Sequence, residues 1–177
     1  MKLKEEKNGS NKIYEGKIMD FYVDTVKLPN GNTATRELTR HCKASAVLAF
    51  VDKNTIILEE QFRYPYNDTI IEIPAGKADK NEDPKVTAER ELREETGYVA
   101  ESVELLGVFY PSVAYTDEVI YIYLATGLSV HEQKLDADEA LNVFTVSLDE
   151  FRNMISDGKI KDGKTLAAFA FYSAKKQ

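Results

Sequence analysis

The stretch running from Gly76 to Tyr98, GKADKNEDPKVTAERELREETGY, constrains this chain more than any other. It follows an apolar run, Ile70-Ile71-Glu72-Ile73-Pro74, and opens on a glycine. Pro84 suits the first turn of a helix, where the N–H it lacks has no partner anyway, and Asp83 or Glu82 stands near the cap. Gly97 stands where a helix favours a left-handed terminal residue. The spacing therefore predicts a helix between them. Within it, Glu89, Glu91, Glu94 and Glu95 crowd their carboxylates into about two turns. Glu91 and Glu95 are an i, i+4 pair and project from one face, with Glu94 adjacent. Like charges so spaced destabilise an isolated helix by roughly 0.2–0.5 kcal/mol per pair. Something must offset this. A solvated face neutralised by Arg90 and Arg93 is one answer. A divalent cation is the other, because hard cations take carboxylate oxygens and share their site with substrate phosphates.

The rest of the chain reads as strands around that helix. The charged start, residues 1–12, reads as a frayed tail. Ile18 to Leu28, the turn signal Pro29-Asn30-Gly31-Asn32 and Thr33 to His41 predict a hairpin, within a small antiparallel unit over 13–42. That unit is too polar to be stable alone, so it leans on the main domain or on a second subunit. Ala44 to Val51 and Thr55 to Arg63 read as strands, and Tyr64 to Asp68 as a loop. Val86, Ala88, Leu92 and Val99 supply the apolar side of the acidic helix region. Val103 to Tyr110, Val119 to Thr126 and Asn142 to Ser147 are further strands, with an acidic loop over 129–141. Ser147-Leu148-Asp149-Glu150 is a capping-box pattern opening a helix that ends near Gly158. Thr165 to Ala174 is a last helix, with Leu166, Phe169, Ala170 and Tyr172 or Ser173 inward. Strands mixed with three helices predict an α+β fold or an α/β/α sandwich.

Gly158 to Thr165 also fits the letters of a phosphate-binding loop, G-x-x-x-x-G-K-T. Such a loop needs a buried strand before it, whereas here a helix precedes it and Asp162 repels anions. A charged inter-helix loop is the preferred reading.

Charge and composition exclude other classes. A net charge of −7 argues against a nucleic-acid surface and requires a bridging metal or a local arginine for any phosphorylated substrate. The single cysteine, Cys42, excludes an internal disulfide and reads as a buried small residue; with two histidines it also excludes a Cys/His zinc site. The first residues lack the apolar core of a signal peptide, and no run approaches a membrane span. The cytoplasm is the expected compartment.

The acidic stretch fits G-x(5)-E-x(7)-R-E-U-x-E-E-x-G-U, with U bulky and apolar, at Gly76, Glu82, Arg90, Glu91, Leu92, Glu94, Glu95, Gly97 and Tyr98. The chain therefore resembles the Nudix hydrolases. Gln61-Phe62-Arg63, the run Glu72 to Gly76, the pair Asp117-Glu118 and the β-rich extension make it similar to the ADP-ribose pyrophosphatase branch. The resemblance implies an α/β/α sandwich with a mixed sheet over 43–177. It implies a β extension over 1–42 exchanged between the subunits of a homodimer. It also implies Mg²⁺-dependent hydrolysis, with Mn²⁺ able to substitute, of ADP-ribose or a related nucleoside diphosphate sugar to AMP and ribose 5-phosphate. By the same resemblance Glu91 and Glu95 would be metal ligands with the Ala75 carbonyl and Glu139, and Glu82 would ligate or orient. Glu94 would join a further metal, and Arg90 would hold the glutamates by buried pairing. Arg63 and Glu72 would serve the substrate, Arg63 at its phosphates, with Ser112 and Glu118 on the ribose side.

This chain departs from that branch twice. Val113 stands where the branch has a proline in the loop after the signature, which bears on sugar specificity. Ala137 stands where the branch places a glutamate as general base, so Asp136, Asp138 or Glu139 substitutes, or water activated by the metal suffices. Two alternatives stay open: a Nudix hydrolase of a different nucleoside diphosphate derivative, and a Nudix-fold sensor that binds such molecules without turnover. The intact glutamates weigh against the sensor.

Overall fold

A computed structural model describes residues 3–137 and 139–175. It is a mixed α/β structure with three sheets and three α-helices, in two compact units: Met1–Cys42 with Tyr110–Val119, and Lys43–Phe109 with Ile120–Gln177. No helix among the described residues is long and apolar enough to cross a membrane.

The first unit is an antiparallel sheet of β1 (Glu6–Glu15), β2 (Asp20–Lys27) and β3 (Thr33–Arg40), with β2 central. The reading of residues 1–12 as a tail is thus corrected from Glu6 onward. The β1 side chains are nearly all exposed, so no apolar alternation announces the strand; its ladder to β2 holds it. Leu28 N–H donates to Asn32 O at 2.8 Å and closes the β2–β3 turn. Only Asp24 and Val26 are buried among the described residues of this unit. Asp24 sits between Ser10, Lys7 and Arg40, and its hydrogen bond from Ser10 leads the effects that hold it below the usual carboxylate range. The 110–119 segment ties on through Thr39 N–H to Tyr115 O at 2.8 Å and Arg40 to Asp117 at 2.9 Å. Cys42 is exposed, not buried, because it follows β3 outside any element.

The second unit contains two sheets. One orders β7 (Ala75–Lys77), β4 (Ala44–Ala49), β9 (Ile120–Val130) and β8 (Tyr98–Phe109), with β4 and β9 parallel and the other pairs antiparallel. The other orders β10 (Leu141–Ser147), β5 (Thr55–Arg63) and β6 (Asp68–Glu72). A single 3₁₀ turn, Tyr64–Tyr66, links β5 to β6. Strand β4 is buried along its whole length, and alternation sends its residues to two cores. Ala44, Ala46 and Leu48 join Phe151, Met154, Ala168 and Tyr172 of α2 (Leu148–Ser156) and α3 (Gly163–Lys175). Val47 and Ala49 join Ala88 and Leu92 of α1 (Pro84–Thr96). Helices on both faces of a mixed sheet are the layers of an α/β/α sandwich.

Helix α1 starts where Asp83 accepts from Lys85 N–H at 2.8 Å and ends at Gly97, whose φ of +72° favours glycine. Ser45 Oγ donates to Pro84 O at 2.7 Å and fixes the helix start on β4. Val86, expected inward, is exposed, since it lies about 200° around the helix from Ala88. Ser147 Oγ caps α2 by accepting from Glu150 N–H at 3.1 Å. The buried seam of α3 is Thr165, Ala168 and Tyr172; Leu166 is exposed, and Phe169 is half-buried against Phe151. Thr165 sets that rotation, because its Oγ1 accepts from Ile73 N–H at 3.0 Å and donates to Asp162 at 2.6 Å. The phosphate-loop letters thus begin after α2 and end in the first turn of α3, with Asp162 capping that helix.

Leu92→Ala is expected to lower the unfolding free energy by about 2–5 kcal/mol. Val86→Ala should change it by less than about 0.5 kcal/mol. Urea unfolding of the two variants checks which face of α1 carries the packing.

Candidate active site

The site is built where α1 meets β7. Arg90 organises it. Its Nη1 donates to Glu91 at 2.8 Å and Glu94 at 2.9 Å, its Nε and Nη2 reach Glu82 at 3.1 and 3.0 Å, and Nη2 also reaches Lys77 O at 3.0 Å. The guanidinium is half-buried, and the pairing is partly buried, as its exposure beside Glu82 and Glu91 shows. It is still strong enough to hold Glu82 at a pKa of about 2, chiefly through its hydrogen bond.

Behind Arg90, Glu91 and Glu95 are buried. Glu95 accepts from Ala75 N–H at 2.8 Å, and Glu91 packs on Gly76. A Cβ at Gly76 would lie 2.0 Å from the Glu91 carboxyl carbon, which explains the glycine at this position. Burial pushes Glu91 up to about 6 despite Arg90. Burial pushes Glu95 well above the usual carboxylate range, and the charges of Glu59 and Glu91 push it further.

All of these groups except Glu82 and Glu59 line a cleft of about 340 Å³ together with Gln61, Arg63, Lys134 and, from the 131–140 segment, Asp136 and Glu139. The C-terminal carbonyls of α1 hold that segment. Lys134 N–H donates to Glu94 O at 2.9 Å, Gln133 Nε2 to Glu95 O at 2.5 Å and His131 N–H to Gly97 O at 2.6 Å. A tight turn follows, with Glu139 N–H donating to Asp136 O at 3.0 Å. Ala137 is exposed, and Asp138 lies outside the described residues.

Arg63 also lines a neighbouring cavity of about 380 Å³ with Tyr66, Lys161 and Lys164. It makes a two-pronged pair with Glu72, at 2.6 and 2.7 Å, and Lys164 reaches the same carboxylate. Burial alone would raise Glu72, but Arg63 and Lys164 outweigh it and hold it low. Ser112 and Glu118 belong to the first unit, both half-exposed, and Glu118 lies 3.6 Å from His41 there.

Sequence reasoning missed three residues. Lys164 was seen only as part of a rejected phosphate loop, and Lys134 only as one charge in an acidic segment. Glu59 is fully buried with neither carboxylate oxygen hydrogen-bonded. It directly follows the apolar run Ile56-Ile57-Leu58 and is followed by Glu60 and Gln61, so the sequence reads it as the polar end of the run and carries no signal of its burial.

The donor set suits a divalent cation. Among the described residues no three His, Cys, Asp or Glu side chains converge into a ready cage. Hard cations bound with substrate phosphates need only one or two carboxylates, with water completing the shell. Two buried carboxylates with raised pKa values, and a third with orphaned oxygens, form a charge cluster that a cation would relieve.

The NUDIX domain profile matches residues 40–169 of the chain. The chain belongs to the Nudix family, and within it to the pyrophosphatases. It is 43% identical to the ADP-ribose pyrophosphatase of Bacillus subtilis (strain 168) over 99% of this chain and 96% of that protein. It is 45% identical to the methanol dehydrogenase activator of Bacillus methanolicus over 96% and 94%. The crystal structure of an ADP compounds hydrolase superposes with a TM-score of 0.88 at 18% identity, over 98% of this chain and 95% of that one. That last likeness is one of fold.

Gly76→Ala is expected to displace the Glu91 carboxylate and weaken Mn²⁺ binding by about tenfold or more. Electron paramagnetic resonance titration with the metal alone checks this, with an unchanged circular dichroism spectrum showing that the fold is kept.

Proposed function

We propose that the chain hydrolyses the pyrophosphate bond of ADP-ribose or a related nucleoside diphosphate sugar, with Mg²⁺, or Mn²⁺ in its place. With ADP-ribose the products are AMP and ribose 5-phosphate, one water being consumed. The observation that carries this is the nearly full-length 43% identity to an ADP-ribose pyrophosphatase. Glu91, Glu95, Glu139 and the Ala75 carbonyl are assigned as the residues that hold the cation, with Glu94 beside them. When bound there, the cation neutralises the diphosphate and lowers the pKa of a water. Arg90 and Glu82 keep the glutamates in place through the hydrogen bonds described above. Arg63, turned to both cavities, orients the phosphates from its pair with Glu72. Glu139 or Asp136, at the cleft, takes the proton from the attacking water in place of the missing glutamate at Ala137. Ser112 and Glu118 are assigned to the ribose on the resemblance alone.

A second reading comes from the relative named as a methanol dehydrogenase activator. On that reading the chain, or a product it releases, activates a dehydrogenase. Activation that survives in Glu95→Gln would assign the effect to a surface and not to turnover.

The first 42 residues are proposed as a dimerisation element ahead of a catalytic domain over 43–177, and the compartment as the cytoplasm. Support for the dimer comes from a sheet with two buried residues that leaves Ile13, Tyr14, Ile18 and Met19 exposed. A homodimeric mass in light scattering at micromolar concentration is expected. A monomer would remove the assignment.

Glu91→Gln and Glu95→Gln are each expected to reduce ADP-ribose turnover by about two orders of magnitude or more while the fold survives. Glu139→Gln should lower the rate, and Ala137→Glu should raise it if that position faces the water, general-base help being worth about 10²–10⁴-fold. Assays at saturating Mg²⁺ across pH, with Asp136→Asn alongside, identify which side chain takes the proton. Near-wild-type turnover in either of the first two variants would remove the metal assignment.

A further inference from the structure

Strand β5 carries a carboxylate that the proposed chemistry does not use. Glu59 lies on it with 0% exposure, and neither of its oxygens has a hydrogen-bond partner among the described residues. Alternation along β5 puts Glu59 on the same face as Gln61 and Arg63, which line the catalytic cleft. It stands opposite Glu72 in the β5–β6 ladder, on that same face. Ile57, one step back on this face, packs with Ala88 and Leu92 of α1, so Glu59 is enclosed between the sheet and the helix that bears Glu91 and Glu95. Arg63 and Lys164, the cations nearest in this arrangement, are both committed to Glu72. An unpaired buried carboxylate costs several kcal/mol in a medium that offers no donor. A purely structural strand position would hold an apolar residue, as Ile56, Ile57 and Leu58 do.

We propose that Glu59 is a positioning residue for the divalent cation: a third buried carboxyl group, behind Glu95, that strengthens cation binding without needing to ligate. This rests on the metal-dependent reading of the site. It also accounts for the absence of a three-carboxylate cage among the described residues. The cleft itself presents Glu91 and Glu95, and Glu59 acts on the cation from beneath them. The orphaned carboxyl costs stability in the metal-free chain, and its charge is offset when the cation arrives.

The test is Mn²⁺ titration of the whole chain by electron paramagnetic resonance, with the metal alone, together with thermal unfolding in chelator. Glu59→Gln is expected to weaken Mn²⁺ binding about tenfold or more, the usual scale for groups that support metal ligands. It is also expected to raise the melting temperature in chelator. Glu59→Asp, which keeps the charge, should bind within about threefold of wild type on the same scale. Glu60→Gln, on the opposite face of β5, should leave binding unchanged. Glu59→Leu gives the same reading as the glutamine variant and guards against a misfolded one. Binding in Glu59→Gln and Glu59→Leu equal to wild type would overturn the role of Glu59 alone. Failure of the wild-type chain to bind metal would overturn the metal-dependent reading itself.

Discussion

Glu91 and Glu94 of α1 and Glu82 just ahead of it would repel one another in water, and Arg90 is what lets them stand together. A guanidinium has five N–H donors in a planar fork, and here they are spread over Glu82, Glu91, Glu94 and a backbone carbonyl. A lysine could supply the charge but not the geometry, because its ammonium is a point donor on a flexible stem. The arrangement divides the carboxylates into two groups. Glu82 and Glu94 are spent on Arg90, while Glu95 and much of Glu91 are turned inward, where burial raises their pKa. One cation on the helix thus sorts its anions into scaffold and site.

The backbone strand β7 completes the separation. It is only three residues long, yet it supplies both contacts that aim the inward pair. Ala75 N–H fixes Glu95, and the bare Cα of Gly76 makes room for Glu91. Pairing of β7 with β4 ties this short element to the most deeply buried strand of the fold. The site is therefore rigid for reasons of packing, because the sheet core and the carboxylate positions share the same strand.

The legible parts were those in which local chemistry and fold agree. Asp83, Pro84 and Gly97 bound α1 as their backbone preferences require, and Thr55–Arg63 is a strand with the limits its residue types suggest. The turn after Leu28 and the cap at Ser147 were equally plain. What escaped was whatever depends on a partner distant in sequence. Strand β1 has no apolar alternation, so only its ladder to β2 reveals it. The seam of α3 is set by a threonine bonded to Ile73, 92 residues earlier; hydrophobicity found Tyr172 and Phe169 but also turned the exposed Leu166 and Ala170 inward and missed Thr165. Lys164 has the same cause: its partner Glu72 is equally remote. Of the site, the glutamates could be read from their spacing, but which were buried and which were paired could not.

The charge balance around the cleft bears on how an acidic chain takes an anionic substrate. Its net charge is −7, and the two cations on the Glu72 side, Arg63 and Lys164, are already engaged with that carboxylate. A diphosphate approaching Arg63 must therefore share it with Glu72, and Glu72, held ionised by both cations, does not yield by taking up a proton. Arg90 is committed three ways. Among the described residues, Lys134 and Lys77 are the basic side chains of the wall that pair with no carboxylate. Arg63, Lys164 and Arg90 are thus too heavily committed to carboxylates to neutralise a diphosphate. That deficit lies on the same side of the fold as the surplus of buried carboxylates. On the proposed metal-dependent reading, a divalent cation between them would meet both needs at once and join the acidic helix and the acidic substrate in one site.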